Sequence, residues 1–195
     1  MVYTAETDPL CYPGTTVLRN KLGLVDQDEL DEYETAMFVV RSEEPWPEGD
    51  LDVTYYLSLH HHLFQDVYDW AGEIRTIRIG KGGNWFCYPE HIRAQLDRIF
   101  QHLTNANALD SLAPGDFAAQ AAHLLAEINA IHPFREGNGR TQLAFLALLA
   151  ERASLPFDAD VLGRERVMDA MIESFAGSEE PLAGLILDIV AGPSP

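Results

Sequence analysis

Apolar residues recur every three or four positions through most of the chain, which is the pattern of amphipathic helices. The pattern predicts helices over the following residues: 26–41, 51–64, 89–105, 114–131, 140–153, 164–175 and 181–190. An irregular N-terminal arm (1–25) precedes them and is predicted to contain a short helix around 17–22. The expected fold class is therefore mainly α.

One segment has a different period. Residues 74–79, IRTIRI, alternate apolar residues with Arg or Thr, which predicts an exposed strand. A glycine-rich turn follows at 80–84, and residues 85–88 can return as the second strand of a β-hairpin over 74–88. A lone hairpin is marginally stable and has to lean on helices. Its free edge could receive an extended segment of another protein, with a purely structural hairpin as the alternative.

Length and composition indicate one globular domain. The chain has 195 residues, of which 47% are hydrophobic and 23% charged. Its net charge of −18 argues against direct nucleic-acid binding, which needs a basic surface, and suits a basic partner. The two cysteines, Cys11 and Cys87, are expected to be reduced, with a single bridge between them as the alternative. Neither a secretory leader nor a membrane span is recognisable, so we expect no membrane association and a cytoplasmic location.

The most informative stretch is 131–149, IHPFREGNGRTQLAFLALL, which joins two predicted helices. Proline disfavours helical geometry in the residue before it, so His132 is predicted to lie where the first helix ends. A polar turn follows, and the second helix is predicted from Arg140. A helix N-terminus carries unpaired N–H groups and partial positive charge, and the glycines at 137 and 139 allow close approach of a ligand. The junction therefore predicts an anion site.

Three side chains add chemistry to this junction. His132 can act as a general base near neutral pH. Glu136 offers the hard oxygen that Mg²⁺ prefers, and Arg140 can donate two hydrogen bonds to a phosphate. Together they predict chemistry on a nucleoside polyphosphate. The alternative interpretation is an ordinary Gly-Asn-Gly turn beside a helix-end histidine and a solvated arginine.

A run of three histidines, His60 to His62, raises the question of a metal site. Consecutive residues of a helix point about 100° apart, so the three rings cannot converge on one ion. We interpret them as packed or partly exposed histidines.

The stretch HPFREGNGR over 132–140 resembles the core motif of Fic-domain proteins, HPFx(D/E)GNGRxxR. The similarity extends to YPGTTVLRNKLGL over 12–24, to YDWAG over 68–72 and to RTIRIGKGG over 75–83. The resemblance implies a single Fic domain over 1–195, with an N-terminal arm at 1–25, a flap hairpin at 74–88, and a motif loop and helix start at 132–143. The residues at 192–195, GPSP, are expected to form a disordered tail. The resemblance also implies a protein adenylyltransferase, which moves AMP from ATP to a Tyr, Thr or Ser hydroxyl of a target protein.

The resemblance assigns roles to the motif residues. It implies that His132 is the general base, that Phe134 anchors the loop, that Glu136 holds Mg²⁺ and that Arg140 holds the outer phosphates of ATP. The residues implied to cradle phosphate oxygens are Gly137, Asn138 and Gly139. The flap residues implied to clamp the target are Lys81, Gly82 and Gly83.

One motif position departs from the family pattern, since the final arginine is replaced by Leu143. Leu143 follows Arg140 by one helical turn and supplies no hydrogen bond to a phosphate. This departure implies weakened ATP use. The alternatives are a catalytically weak Fic-fold module that binds a nucleotide or a partner, and transfer from another phosphate-bearing donor. A phosphotransferase of the Doc branch is disfavoured, because that branch has lysine where this chain has Gly139.

The resemblance also concerns regulation. The inhibitory helix motif of the family, (S/T)xxxE(G/N), is not found in this sequence. Short Fic proteins without it resemble the toxin class, which is restrained by a small separate antitoxin. Bacterial type II topoisomerases are among the targets of that class and are a candidate here.

Overall fold

The computed structural model describes residues 8–191, and within them the fold is mainly helical. The helices are α1 (Gln27–Ser42), α2 (Val53–Phe64), α3 (Pro89–Asn105), α4 (Pro114–Ile131), α5 (Asn138–Arg152), α6 (Arg164–Phe175) and α7 (Glu180–Val190). Short 3₁₀ turns lie at Asn107–Leu109 and Ala159–Val161. The predicted fold class and each of the seven longer predicted helices are confirmed. Residues 1–7 of the predicted arm and the predicted tail at 192–195 lie outside the described residues.

Within the described residues, the first of two compact units contains 8–93 together with Pro133–Gly137. Its core is aromatic. The ring of Phe134 is fully buried and stacks on Tyr56 at 5.6 Å and on His60 at 3.7 Å between ring centroids. Burying a phenylalanine side chain stabilises a fold by about 2 kcal/mol. The middle of the motif loop is therefore part of this core.

The second unit contains Ala94–His132 and residues 138–191. Helix α4 packs against α5, α6 and α7. One face of the helix, with Gln120 and His123, is exposed, and the buried residues form a broad apolar face. They are Phe117, Ala118, Ala121, Ala122, Leu124, Leu125, Ala126, Ile128 and Ile131. This packing fixes the end of α4, from which the motif begins.

The prediction of a short helix around 17–22 is wrong. The arm instead folds back on itself through an isolated antiparallel bridge between Cys11 and Leu18. The Asn20 amide donates to the carbonyls of Leu18 and Leu24 at 3.0 and 2.8 Å, and its oxygen accepts the Leu24 N–H at 2.9 Å. Such side-chain bonds offer the backbone an alternative to a helix, and here that alternative is stronger.

The predicted hairpin is present, but its strands are shorter than expected. Strand β1 (Gly80–Lys81) pairs with β2 (Asn84–Trp85), with Gly80 opposite Trp85. Gly82 and Gly83 form the turn with φ of 60° and 84°, the positive values that a tight two-residue hairpin turn requires. Residues 74–79 do not form a strand.

Arg75 explains why the predicted strand at 74–79 does not form. Its side chain is expected outside but is 97% buried. The guanidinium donates to the carbonyls of Ile77 and Cys87, both at 2.6 Å, and the Arg75 N–H donates to the Pro133 carbonyl at 2.9 Å. These bonds bend the segment around one buried cation. Through Arg75 they connect the two ends of the flap to each other and to the motif loop.

Both cysteines are free, as predicted. Burial raises the pKa of the Cys11 thiol and that of Cys87. Both therefore remain protonated near neutral pH and are weak nucleophiles. Among the described helices, none has the length and hydropathy needed to span a bilayer.

Acid is expected to weaken the first unit through Asp66. Arg41 donates to both Asp66 oxygens, at 2.6 and 2.8 Å, and this bonding lowers the pKa of Asp66. Because the pKa of Asp66 is lower in the folded state, the ionised carboxylate stabilises the fold at pH values above its unfolded-state pKa of about 3.9. This stabilisation is lost as the pH falls from there through the folded-state pKa. Because the pair is partly exposed, we expect a loss of about 1 kcal/mol. Urea midpoints measured at about pH 7 and about pH 3 should differ less in Asp66→Asn than in wild type. An equal difference in the two proteins would contradict this assignment.

Candidate functional site

His132 lies at the junction where α4 ends. It caps α4 in the left-handed conformation, with φ 52° and ψ 66°, and its N–H donates to the Ile128 carbonyl at 2.8 Å. Pro133 makes the right-handed helical conformation unfavourable for the residue before it. A non-glycine residue in this conformation costs of order 1–2 kcal/mol and is often found at functional sites. The predicted position of His132 at the helix end is confirmed.

The His132 ring is held in a defined tautomer. Its Nδ1 lies 3.3 Å from the Asn129 carbonyl oxygen, which can only accept a hydrogen bond. Nδ1 therefore carries the proton, and in the neutral ring Nε2 carries the lone pair. The Asn129 amide in turn donates to the Met171 carbonyl of α6 at 3.1 Å, which anchors the residue that orients the ring. The ring is 94% buried. This is the arrangement that a general base requires.

Arg135 ties the motif loop to the N-terminal arm. Its Nε donates to Asp8 at 2.6 Å, and both side chains are at least 91% buried. Buried ion pairs are costly to break, because the remaining charge is left without water. The arm is therefore a structural support of the loop in the first unit, which composition alone does not indicate.

Glu136 and Gly137 form a tight turn. The carboxylate oxygen Oε1 of Glu136 accepts the N–H of Gly137 at 2.9 Å, and Glu136 is partly exposed. Gly137 has φ 81°, and a Cβ there would lie 2.5 Å from the ring of Phe64. Both observations require glycine at 137.

Helix α5 begins two residues earlier than predicted, at Asn138 rather than Arg140. The segment expected to be a loop, Asn138 and Gly139, is in fact the first helical turn, together with Arg140. The first turn of a helix has N–H groups without intrahelical acceptors and partial positive charge. Gly139 is exposed and has open space around it, so its lack of a side chain leaves this turn uncovered. The predicted anion site thus lies in the helix start itself.

The remaining predicted residues lie in two places. Leu143 is half-buried in α5, one turn after the partly exposed Arg140. Lys81 lies in β1, and Gly82 and Gly83 form the exposed tip of the hairpin.

The flap also carries a cation between two aromatic rings. The Arg78 guanidinium lies 3.9 Å from the ring centroid of Tyr88 and 4.8 Å from that of Trp85. Both rings are nearly half exposed. Cation–π contacts of this kind stiffen the hairpin base.

The residues of the motif fit a nucleotide-bound Mg²⁺ ion better than a metal held by protein alone. Residues 8–191 contain no group of three or more His, Cys, Asp or Glu side chains placed to hold a metal ion. Mg²⁺ usually binds one or two carboxylates together with phosphate oxygens and waters. Glu136, a partly exposed carboxylate two residues before α5, supplies that kind of donor.

The sequence analysis does not predict that two buried polar residues contact the motif. These are His60, whose Nε2 lies 3.0 Å from the Glu136 carbonyl oxygen, and Arg75. His60 could have been found from its spacing, since Tyr56, His60 and Phe64 share the buried face of α2 at four-residue intervals. The rings of His61 and His62 bond other carbonyls, those of Ala71 and Arg41, as their divergent directions predict.

Comparisons with known proteins agree with this geometry. The sequence model of the Fic/DOC family matches residues 50–150. The chain is 55% identical to the probable protein adenylyltransferase y4lH of Sinorhizobium fredii, over 94% of this chain and 96% of that protein. It is 36% identical to the protein adenylyltransferase VbhT of Bartonella schoenbuchensis, over 94% of this chain and 39% of that protein. The crystal structure of BepC from Bartonella tribocorum, with bound AMPPNP, matches with a TM-score of 0.84 at 28% identity, over 92% of this chain and 95% of that one.

The described part of the chain has seven helices, a small hairpin and an HPF loop that leads into the start of α5. These features together define one class of mainly helical proteins. The chain belongs to the Fic/DOC family. The family resemblance predicted from HPFREGNGR is confirmed.

Proposed function

We propose that this chain is a protein adenylyltransferase that moves AMP from ATP to a Tyr, Thr or Ser hydroxyl of a target protein. The observation that carries the proposal is His132, held with the lone pair on Nε2 and followed within the motif by the first turn of α5, Asn138 to Arg140. The identity of 55% to a probable protein adenylyltransferase supports it. The AMPPNP bound to BepC supports a nucleotide as the donor.

In the proposed reaction the target hydroxyl oxygen forms a bond to the α-phosphorus of ATP. The bond from that phosphorus to the oxygen bridging to the β-phosphate breaks, and pyrophosphate leaves with the electron pair. His132 Nε2 accepts the hydroxyl proton, and the Asn129 carbonyl continues to accept from Nδ1 in the resulting imidazolium. Reactions of this kind depend mostly on positioning and charge stabilisation, which the fixed ring supplies.

The start of α5 is proposed to bind the phosphates. The backbone N–H groups of Asn138 and Gly139 are suited to phosphate oxygens, because first-turn donors and the helix dipole both favour an anion. Gly137 is proposed to contribute through its missing side chain, since its own N–H donates to the Glu136 carboxylate. Arg140 is proposed to bind the outer phosphates through its guanidinium.

Glu136 is proposed to hold Mg²⁺ together with the phosphates. When bound, the ion neutralises phosphate charge and polarises the group that is transferred. The role of this chain is to orient the carboxylate, which the Gly137 N–H does from 2.9 Å.

The flap is proposed to hold the target. Its edge and tip, with Lys81, Gly82 and Gly83, are suited to an extended segment by strand addition. A type II topoisomerase remains a candidate target, and a small separate antitoxin remains the proposed restraint. The net charge of −18 favours basic partner surfaces in both cases.

We expect Leu143→Arg to increase AMP transfer. Leu143 lies one turn after Arg140 on the same helix, so an arginine there can reach the same phosphates. A charged hydrogen bond to phosphate contributes about 1.5–3 kcal/mol, which corresponds to roughly a 10- to 150-fold change in kcat/KM for ATP. Initial rates at varied ATP measure this change.

Ala144→Arg is the matched control, because it adds the same charge about 100° away around α5. It should leave kcat/KM within a factor of about two, well below the tenfold change that 1.4 kcal/mol represents. Equal activation by both substitutions would show that added charge, and not the motif position, is responsible. If wild type binds ATP but only Leu143→Arg transfers AMP, then a catalytically weak nucleotide-binding module is the better description of the natural chain.

Two labels distinguish the proposed reaction from its alternatives. The purified protein is incubated with a bacterial lysate and ATP labelled on either the α- or the γ-phosphate. AMP transfer labels a protein band from the α-label alone. A band labelled from the γ-label alone would instead indicate a phosphotransferase and contradict the proposal.

A further inference from the structure

His60 is a polar residue inside the aromatic core of the first unit. It lies on α2 and is fully buried. Its ring stacks on that of Phe134 with the centroids 3.7 Å apart and the planes 17° apart. A buried polar ring needs a hydrogen-bonding reason for its place, because an apolar residue of similar size would otherwise be more stable there.

Both ring nitrogens of His60 bond to backbone groups of fixed polarity. Nδ1 accepts the Gly72 N–H at 2.8 Å, and Nε2 lies 3.0 Å from the Glu136 carbonyl oxygen. A backbone N–H can only donate and a carbonyl can only accept. The ring is therefore neutral, with its proton on Nε2, and it connects the Tyr-Asp-Trp-Ala-Gly segment to the motif loop.

The carbonyl that His60 holds belongs to the same planar peptide as the Gly137 N–H. That N–H donates to the Glu136 carboxylate at 2.9 Å. A bond to one end of a rigid peptide fixes the direction of the other end. The Nε2–H of His60 thus sets the direction of the donor that orients the Glu136 carboxylate.

We propose that His60 is a positioning residue that acts on the Glu136–Gly137 peptide and, through it, on the Glu136 carboxylate. The inference rests on the proposed function for its catalytic consequence. Without the Nε2 donor the peptide can rotate, and the carboxylate loses its preset direction. Misplacement of a participating group by about 1 Å can reduce turnover by about 100-fold.

Two substitutions separate the two bonds of His60. In His60→Gln the amide NH₂ can replace Nε2–H as the donor to Glu136, but the acceptor for Gly72 is lost. In His60→Asn the side-chain oxygen can replace Nδ1 as the acceptor for Gly72. The asparagine side chain is too short to replace Nε2–H, so the donor to the Glu136 carbonyl is lost. Each variant removes the ring and one bond to the backbone, so similar melting temperatures are expected for the two.

The expected result is a large difference in function between two equally stable variants. His60→Asn should reduce kcat/KM for AMP transfer by roughly 10- to 100-fold and raise the Mg²⁺ concentration for half-maximal rate. His60→Gln should retain most of the wild-type rate. In metal-free protein, the amide ¹H–¹⁵N signal of Gly137 should shift in His60→Asn and stay near its wild-type position in His60→Gln.

Equal rates for the two variants, or an unmoved Gly137 signal in His60→Asn, would overturn the inference. Failure of the proposed function has a different signature, since wild type itself would then transfer no AMP. The Gly137 signal still decides the role of His60 in that case. A melting temperature that falls in His60→Asn alone, with an unmoved Gly137 signal, would assign His60 to core stability only.

Discussion

The His132→Ala variant is expected to lose AMP transfer by roughly 100- to 10,000-fold, the usual contribution of a general base. The physical reason is the Nε2 lone pair, which accepts the hydroxyl proton as the bond to phosphorus forms. No other residue type between Pro133 and Arg140 has an ordinary pKa near neutrality, as histidine does. The measurement is the initial rate of label transfer from α-labelled ATP, with ATP affinity measured separately.

Alanine at 132 also has a structural cost, because φ is 52° there. His132→Asn is the matched variant, since asparagine tolerates the left-handed conformation but cannot act as a base. Both variants should lose transfer while binding ATP, and the Asn variant should melt close to wild type. His123→Ala, an exposed histidine on the same helix, should keep full activity. Retention of more than about a tenth of the wild-type rate by His132→Asn would show that His132 is not the base.

Gly137→Ala is expected to be the most destabilising single-methyl change in the motif. It places a non-glycine residue at φ 81° and a Cβ 2.5 Å from the buried ring of Phe64. Left-handed backbone strain and overpacking together cost about 3 kcal/mol or more. For a chain of this size the loss lowers the melting temperature by roughly 6–12 °C.

Gly139→Ala is the control for Gly137→Ala, since a Cβ at 139 meets no atom within 4 Å. It lies in the first turn of α5 and should keep or slightly raise the melting temperature, because alanine favours a helix by up to about 1 kcal/mol over glycine. A second test is the double variant with Phe64→Leu, in which Gly137→Ala should cost less than in wild type. Equal destabilisation at 137 and 139 would contradict the assigned contact with Phe64.

Local signals in the sequence were sufficient for the helical framework. Helices α3, α4 and α6 have the predicted ends, because proline marks the first turn of α3 and of α4, and the His-Pro pair marks the end of α4. Helix α5 begins two residues before its predicted start, since Asn138 and Gly139 are poor helix formers away from a helix end. At a helix start the cost is smaller, because the first-turn N–H groups have no intrahelical acceptors in any case.

Side-chain hydrogen bonds to the backbone, which the hydrophobic pattern does not reveal, account for the wrong predictions. Arg75 lies in a predicted strand, but three backbone carbonyls, those of Ile77, Cys87 and Pro133, accept its hydrogen bonds and hold it inside. Asn20 bonds its own neighbours and prevents a helix in the arm. The partners of His60, 12 and 76 residues away, follow from the tertiary fold and are not visible in periodicity.

The most direct test of the proposed activity is mass spectrometry of the target protein labelled in a bacterial lysate. We predict a peptide that carries one adenylyl group on a Tyr, Thr or Ser hydroxyl after incubation with wild type or Leu143→Arg and ATP. The same peptide should be unmodified with His132→Ala. A modified peptide that persists with His132→Ala, or that carries a phosphate in place of AMP, would contradict His132-dependent adenylyl transfer by this chain.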